Sequence, residues 1–74
     1  MENIELKKGI YKHFKGHVYK VIGIAKHSET LEEMVVYINV ENEDDIWLRP
    51  VSMFLENVTR DGKTFPRFKF IREL

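Results

Sequence analysis

Apolar and polar residues alternate along this chain in short runs, separated by glycine, proline and charged clusters. A period of two is the mark of strands with one buried face. Gly9 opens the first run, Ile10 to Phe14, and Lys15-Gly16 ends it with a turn, because Gly16 accepts positive φ without a Cβ clash. The second run, His17 to Lys26, is rich in the residue types that strands favour. It places Tyr19, Val21, Gly23 and Ala25 on one face and Val18, Ile22 and Ile24 on the other. A strand apolar on both faces predicts strong curvature in so short a chain, with Gly23 at a bend. Ser28 to Glu33 is a polar excursion of about one helical turn, with Ser28 as its cap and Leu31 turned inward. Met34 to Val40 is a third strand, with Val35, Tyr37 and Asn39 facing away from Val36, Ile38 and Val40. Glu41 to Asp45 is an acidic loop, and Ile46 to Arg49 a short fourth strand stopped by Pro50. Ser52 to Leu55 is a tight turn or 3₁₀ segment plugging one end. Asp61-Gly62 is a strong turn signal, and Phe65 to Ile71 is the last strand, with Phe68 and Phe70 on one face.

Together these elements predict a mainly β fold. The preferred architecture is a small SH3-like β-barrel of about five strands with one short helical turn; the alternative is an open α+β sheet. With 74 residues, the chain is expected to be one domain, 1–74. Residues 1–8 would be a charged lead-in whose Ile4 and Leu6 reach the core, and 9–71 the barrel. A chain of this size buries only about 60% of its unfolded surface, so stability must rest on one small core. Phe14, Trp47, Phe54, Phe68 and Phe70 are the aromatic residues expected to fill it.

The absence of cysteine excludes disulfides, thiolate catalysis and thiolate-bound zinc. No apolar run approaches the roughly 20 residues that span a bilayer, and the N-terminus, MENIELKKG, is charged where a signal peptide would be apolar. These features predict a soluble, cytoplasmic protein with no membrane partner. Twelve basic and twelve acidic residues cancel, but they lie in blocks. Residues 7–27 hold six lysines and no acid, 29–45 seven acids and no base, and 60–72 five bases and one acid. Pairing of these blocks across a folded sheet is the first expectation. A basic face that steers an anion or nucleic acid is the second, although the neutral total argues against a dedicated nucleic-acid binder.

Chemistry is sparse. If Lys15-Gly16 is a two-residue turn, His13 faces Val18 and Phe14 faces His17, so the two histidines point to opposite sides. A longer turn would bring them together. His27 lies ten residues beyond His17, about 33 Å along a straight strand, which argues against a three-histidine metal centre. His27-Ser28-Glu29 has the H-x-E spacing of zinc deaminases without the cysteines that chemistry needs. The four glycines are scattered and form no phosphate loop, and no calcium-loop spacing is present. No metal and no cofactor are expected. Tyr11, His13, Tyr37, Arg49 and Arg67 are harder to assign to packing. Each arginine sits among apolar strand neighbours, where burial would require Glu29 or Glu56 as a partner; a structural ion pair and a ligand clamp explain them equally well.

The run Gly9-x-Tyr11-x-His13-Phe14-Lys15-Gly16, followed by Tyr19-x-Val21 and Ala25-x-His27-Ser28-Glu29-Thr30, resembles a family of small bacterial domains of unknown function. The likeness continues through Val36-Tyr37, Arg49-Pro50-x-x-Met53-Phe54, Glu56-x-Val58 and Pro66-Arg67-Phe68. It covers nearly the whole chain, from Gly9 to about Ile71. The resemblance implies a stand-alone bacterial domain with a small SH3-like barrel and no catalytic mechanism. The polar residues that match it are Tyr11, His13, Lys15, His27, Ser28, Glu29, Tyr37, Arg49 and Arg67. His17 departs from it, standing where the pattern has a small residue.

These nine residues are the candidate ligand-binding set. The leading expectation is a non-catalytic binding module whose pocket is built from His13, His27, Glu29, Tyr37, Arg49 and Arg67. Its ligand would be anionic or hydrogen-bonding: nucleic acid, a nucleotide or a peptide. One rival is a protein-interaction or structural domain, a monomer or weak homodimer that associates through a sheet edge. Another is a hydrolase-like enzyme using His27 and Glu29 as an acid–base pair.

Overall fold

The computed structural model describes residues 6–74, which form seven strands and one short helix. They are β1 (Gly9–His13), β2 (Val18–Lys26), β3 (Glu33–Asn39), β4 (Asn42–Pro50), α1 (Val51–Phe54), β5 (Asn57–Arg60), β6 (Lys63–Pro66) and β7 (Phe68–Glu73). Five of the strands form one antiparallel sheet in the order β4-β3-β2-β1-β7, and β5 and β6 pair separately as a hairpin. The mainly β class holds, in its open form. Among the described residues no ladder joins β4 to β7, so the sheet is not closed into a barrel.

The local reason lies in β2. A bulge at Ile22 lets Val21 face Tyr37 while Gly23 faces Val36 and Ile24 faces Val35. One extra residue reverses the alternation, because strand side chains have a period of two. Tyr19 and Val21 therefore share a sheet face with Ile24, not with Gly23 and Ala25. The doubly apolar pattern of β2 comes from this change of parity; barrel closure is not needed to explain it.

The core is aromatic. Tyr11, Val21, Val35, Tyr37, Val51, Phe54 and Phe68 are buried together, with Leu6, Tyr19 and Phe70 packed against them. Ile4 lies outside the described residues. Helix α1 turns Val51 and Phe54 inward, as the plug at Ser52–Leu55 anticipated. Phe54 stacks on Phe68 at 4.1 Å and meets Tyr11 and Tyr37 edge-on at 5.4 and 5.5 Å. Offset stacks and edge contacts are the arrangements that the ring quadrupole favours. Trp47 does not join them; it is 47% exposed on β4.

Other expectations are corrected. The acidic loop Glu41–Asp45 is mostly strand, the turn being confined to Val40 and Glu41. The run Phe65–Ile71 is divided at Arg67 between two sheets. Asp61 and Gly62 both have positive φ, 51° and 76°, as the two-residue turn joining Arg60 to Lys63 requires. At Ser28–Thr30 the chain makes a turn, not a helix, and Leu31 points outward, 67% exposed. The opposed charge blocks do not pair: Arg67–Glu56, at 3.7 Å, is the one ion pair among the described residues.

Candidate functional site

The β1–β2 hairpin closes through a longer loop than two residues. Lys12 faces Val18, His13 donates its backbone N–H to the His17 carbonyl at 2.7 Å, and Gly16 donates to the His13 carbonyl at 2.8 Å. His13 and His17 therefore stand opposite each other, the outcome that the longer turn allows. On its other side His13 faces Phe68 of β7. Its ring lies 4.9 Å from Phe68 and 4.5 Å from Phe14. Its Nδ1 accepts the Lys15 backbone N–H at 3.1 Å, which leaves Nε2 as the position for the proton of the neutral ring.

Arginines gather around these rings. Arg49 faces Val35 across the β3–β4 ladder, on the core side of the sheet, and its Cζ is 5.9 Å from the Phe68 ring. Arg67 is the joint between the two sheets. Its backbone N–H donates to the Glu56 carbonyl and its carbonyl accepts from Phe14 N–H, both at 3.0 Å. Its guanidinium lies 5.8 Å from Phe14, with Arg60 at 5.2 Å and Lys15 Nζ at 5.9 Å from the same ring. Glu56 is the carboxylate paired with Arg67; Arg49 has no such partner among the described residues. The Nε atoms of both Arg49 and Arg67 are buried without a hydrogen-bond partner. A buried donor left unpaired is costly, more so when it is charged.

The electrostatics agree with this geometry. Burial, then the charges of Arg67, Arg49, Lys15 and His17, hold His13 below the ordinary histidine range. Burial pushes the Tyr19 hydroxyl up, with Tyr37 and Asp45 adding to the effect and Arg49 opposing it. A concavity of about 240 Å³ adjoins the cluster, lined by Lys12, His13, Phe14, Phe65, Pro66 and Lys69. A wider one of about 700 Å³ lies elsewhere, against Leu6–Lys8 and Val21–Ile24, and contains none of the candidate residues.

The structure thus brings together His13, Lys15, Arg49 and Arg67 and separates the remaining candidates from them. Tyr37 is buried in the core at 3% exposure. Tyr11 is buried beside it and donates its hydroxyl to the Lys7 carbonyl at 2.7 Å; burial raises its pKa. Both are packing residues with a satisfied or sheltered polar tip. His27, Ser28 and Glu29 lie past the far end of β2 in an exposed turn. There His27 Nδ1 accepts the backbone N–H groups of Glu29 and Thr30 at 3.1 and 3.3 Å, so His27, not Ser28, caps the turn. His27 and His13 do not converge, and His27 and Glu29 do not share a strand face. Arg60 was missed by sequence reasoning. Its signal was the pair of flanks around Asp61-Gly62, which form β5 and β6 and carry it to Phe14. No three His, Asp or Glu side chains among the described residues are grouped to hold a metal ion.

Residues 9–70 match a family described as a protein of unknown function, DUF1653, and the chain belongs to that family. A crystal structure of a DUF1653 protein from Bordetella bronchiseptica superposes with a TM-score of 0.84 at 28% identity, covering 95% of this chain and 92% of that one. A search of curated proteins gives no match. Among the described residues no helix is long and apolar enough to cross a membrane.

Proposed function

We propose that the chain acts as a single-domain, non-catalytic binding module for a ligand that presents an anionic oxygen group, a carboxylate or phosphate. The observation that carries this reading is the pair of buried, unpartnered Nε–H groups on Arg49 and Arg67. They lie beside aromatic rings in a cluster where cations outnumber the single paired carboxylate. Guanidinium groups match the geometry of carboxylate and phosphate oxygens, and a ligand oxygen would satisfy donors that the protein leaves open. Phe14 and His13 add faces on which a base or aromatic side chain can stack. Nucleic acid, a nucleotide and an acidic peptide all fit this chemistry. The hydrolase reading has less support, since His27 Nδ1 is engaged in its own turn.

The test is a titration of labelled protein, followed by amide spectra, with inorganic phosphate and with a short mixed RNA at low and moderate salt. Shifts confined to His13, Phe14, Arg49 and Arg67 that weaken with salt are expected, because counterion release gives nucleic-acid binding that dependence. Replacing Arg49→Lys keeps the charge but removes Nε–H, and should weaken binding at least about tenfold. Unchanged spectra with both probes and with an acidic peptide would reject the reading.

A further inference from the structure

The concavity of about 240 Å³ beside His13 has two features that the arginine cluster does not explain. The first is a like-charge pair. Lys12 of β1 and Lys69 of β7 stand directly opposite each other across the ladder, and both line the concavity. Like charges directly opposite destabilise a strand pair. Nothing offsets them here: neither lysine is ion-paired among the described residues, and the lining contains no carboxylate. Their strand neighbours Tyr11 and Phe70 belong to the core packing, so alternation turns both lysines to the outer face of the sheet, where they are exposed. The second feature is an aromatic wall. Phe14 donates its backbone N–H to the Arg67 carbonyl at 3.0 Å, its ring lies 5.9 Å from that of Phe65 on the small hairpin, and Pro66 completes the surface.

We propose that this concavity takes one base of a single strand of nucleic acid, with flanking phosphates on Lys12 and Lys69 and at the open Nε–H groups of Arg49 and Arg67. The inference rests on the anion-binding reading above and names its ligand. His13 joins the two parts, because it lines the concavity and feels the charges of both arginines. The volume falls below the roughly 300–1,000 Å³ of pockets that enclose a drug-sized molecule. It suits one ring of a longer ligand, not a whole cofactor. Stacking on an aromatic wall within a cationic groove is the way single strands are held. The bases of a duplex are stacked on one another and have no free face to offer the wall. An acidic peptide would satisfy the lysines and leave the wall unused. The formal net charge of zero gives no general pull toward duplex phosphates, so the preference for a single strand comes from the rings.

The test is fluorescence anisotropy of end-labelled RNA and DNA strands of one mixed sequence, about eight nucleotides long, and of the corresponding duplex, over a range of salt. Inorganic phosphate is followed in parallel by amide spectra. One or both single strands should bind at least about tenfold more tightly than the duplex, and the tighter of the two names the sugar. The slope of log affinity against log salt should become shallower by about 0.7 for each of Lys12→Gln and Lys69→Gln. Both positions are exposed, so the amide spectrum and the phosphate shifts at Arg49 and Arg67 should stay as they are. Phe65→Leu keeps apolar bulk without the ring, and should weaken strand binding about tenfold with the salt slope unchanged. Equal binding of the duplex would overturn the proposal, as would an unchanged slope in both lysine variants. A chain that binds no strand while Arg49 and Arg67 still respond to phosphate, or that responds only to an acidic peptide, would overturn it and leave the anion-binding reading standing. Silence toward phosphate, strand and peptide alike would remove both.

Discussion

At His13, a ring packed against Phe14 and Phe68 within reach of two guanidiniums, the charged form is the disfavoured one. Its folded pKa lies below the unfolded value, so between those two values the unfolded chain binds more protons. The contribution of this group to stability is present in full above the unfolded value and is lost as the pH falls through the window down to the folded pKa. Melting temperature should therefore drop on acidification below the ordinary histidine range, and His13→Asn should flatten that part of the profile. Bound anion would act in the opposite direction, raising the His13 pKa, which the pH dependence of its ring carbon shifts would show. For Tyr11, replacement by Phe removes the bond to the Lys7 carbonyl and should cost about 0.5–1.5 kcal/mol by denaturant unfolding. His13, Arg49 and Arg67 were legible in the sequence because cationic side chains among strand apolars require an explanation. Tyr11 and Tyr37 are buried, a placement the sequence leaves open because a tyrosine serves equally as a core ring and as a ligand contact. The packing around Phe54 of α1 is what draws both rings inward.

At the scale of elements, the turns were easier to read than the ladders between them. Asp61-Gly62 and Lys15-Gly16 announce themselves by residue type, whereas the Ile22 bulge leaves no local signature beyond the doubly apolar run of β2. Strands β5 and β6 were overlooked because their residues are mostly polar and exposed, and such strands carry little hydrophobic alternation. Two glycines of the large sheet should respond oppositely to alanine. At Gly9 an added Cβ would run into the backbone carbonyl of Arg72 across the β1–β7 pair, so Gly9→Ala should destabilise by about 1–3 kcal/mol. At Gly23, beside the bulge, a Cβ meets nothing within 4 Å. Gly23→Ala should stabilise by about 0.4–1 kcal/mol through the entropy of the unfolded chain. Thermal unfolding of the two variants separates them, since each kcal/mol moves Tm by about 4–8 °C for chains of this length.

Across the whole molecule, most of the buried volume converges on one stack. Phe54→Ala opens a cavity against Phe68, Tyr11 and Tyr37, and should cost about 3–5 kcal/mol. That is most of the stability a domain this small commands, so urea unfolding should find the variant largely unfolded at room temperature. The β5–β6 hairpin stands apart from that stack. Among the described residues its strands pair with no other, and the backbone of Arg67 ties its end to the large sheet. An isolated two-stranded hairpin is marginal in water. The molecule thus has two regions of unequal permanence, and Phe14 receives Arg60 from the weaker one and Arg67 from the joint between them. Amide protons at Phe14 and Arg67 should exchange with deuterium through local opening, sooner than those of Val35 or Tyr37. Any ion gripped by both Arg49 and Arg67 would lock the small sheet to the large one, and the slowing of those two amides would register its arrival even without a change of shape.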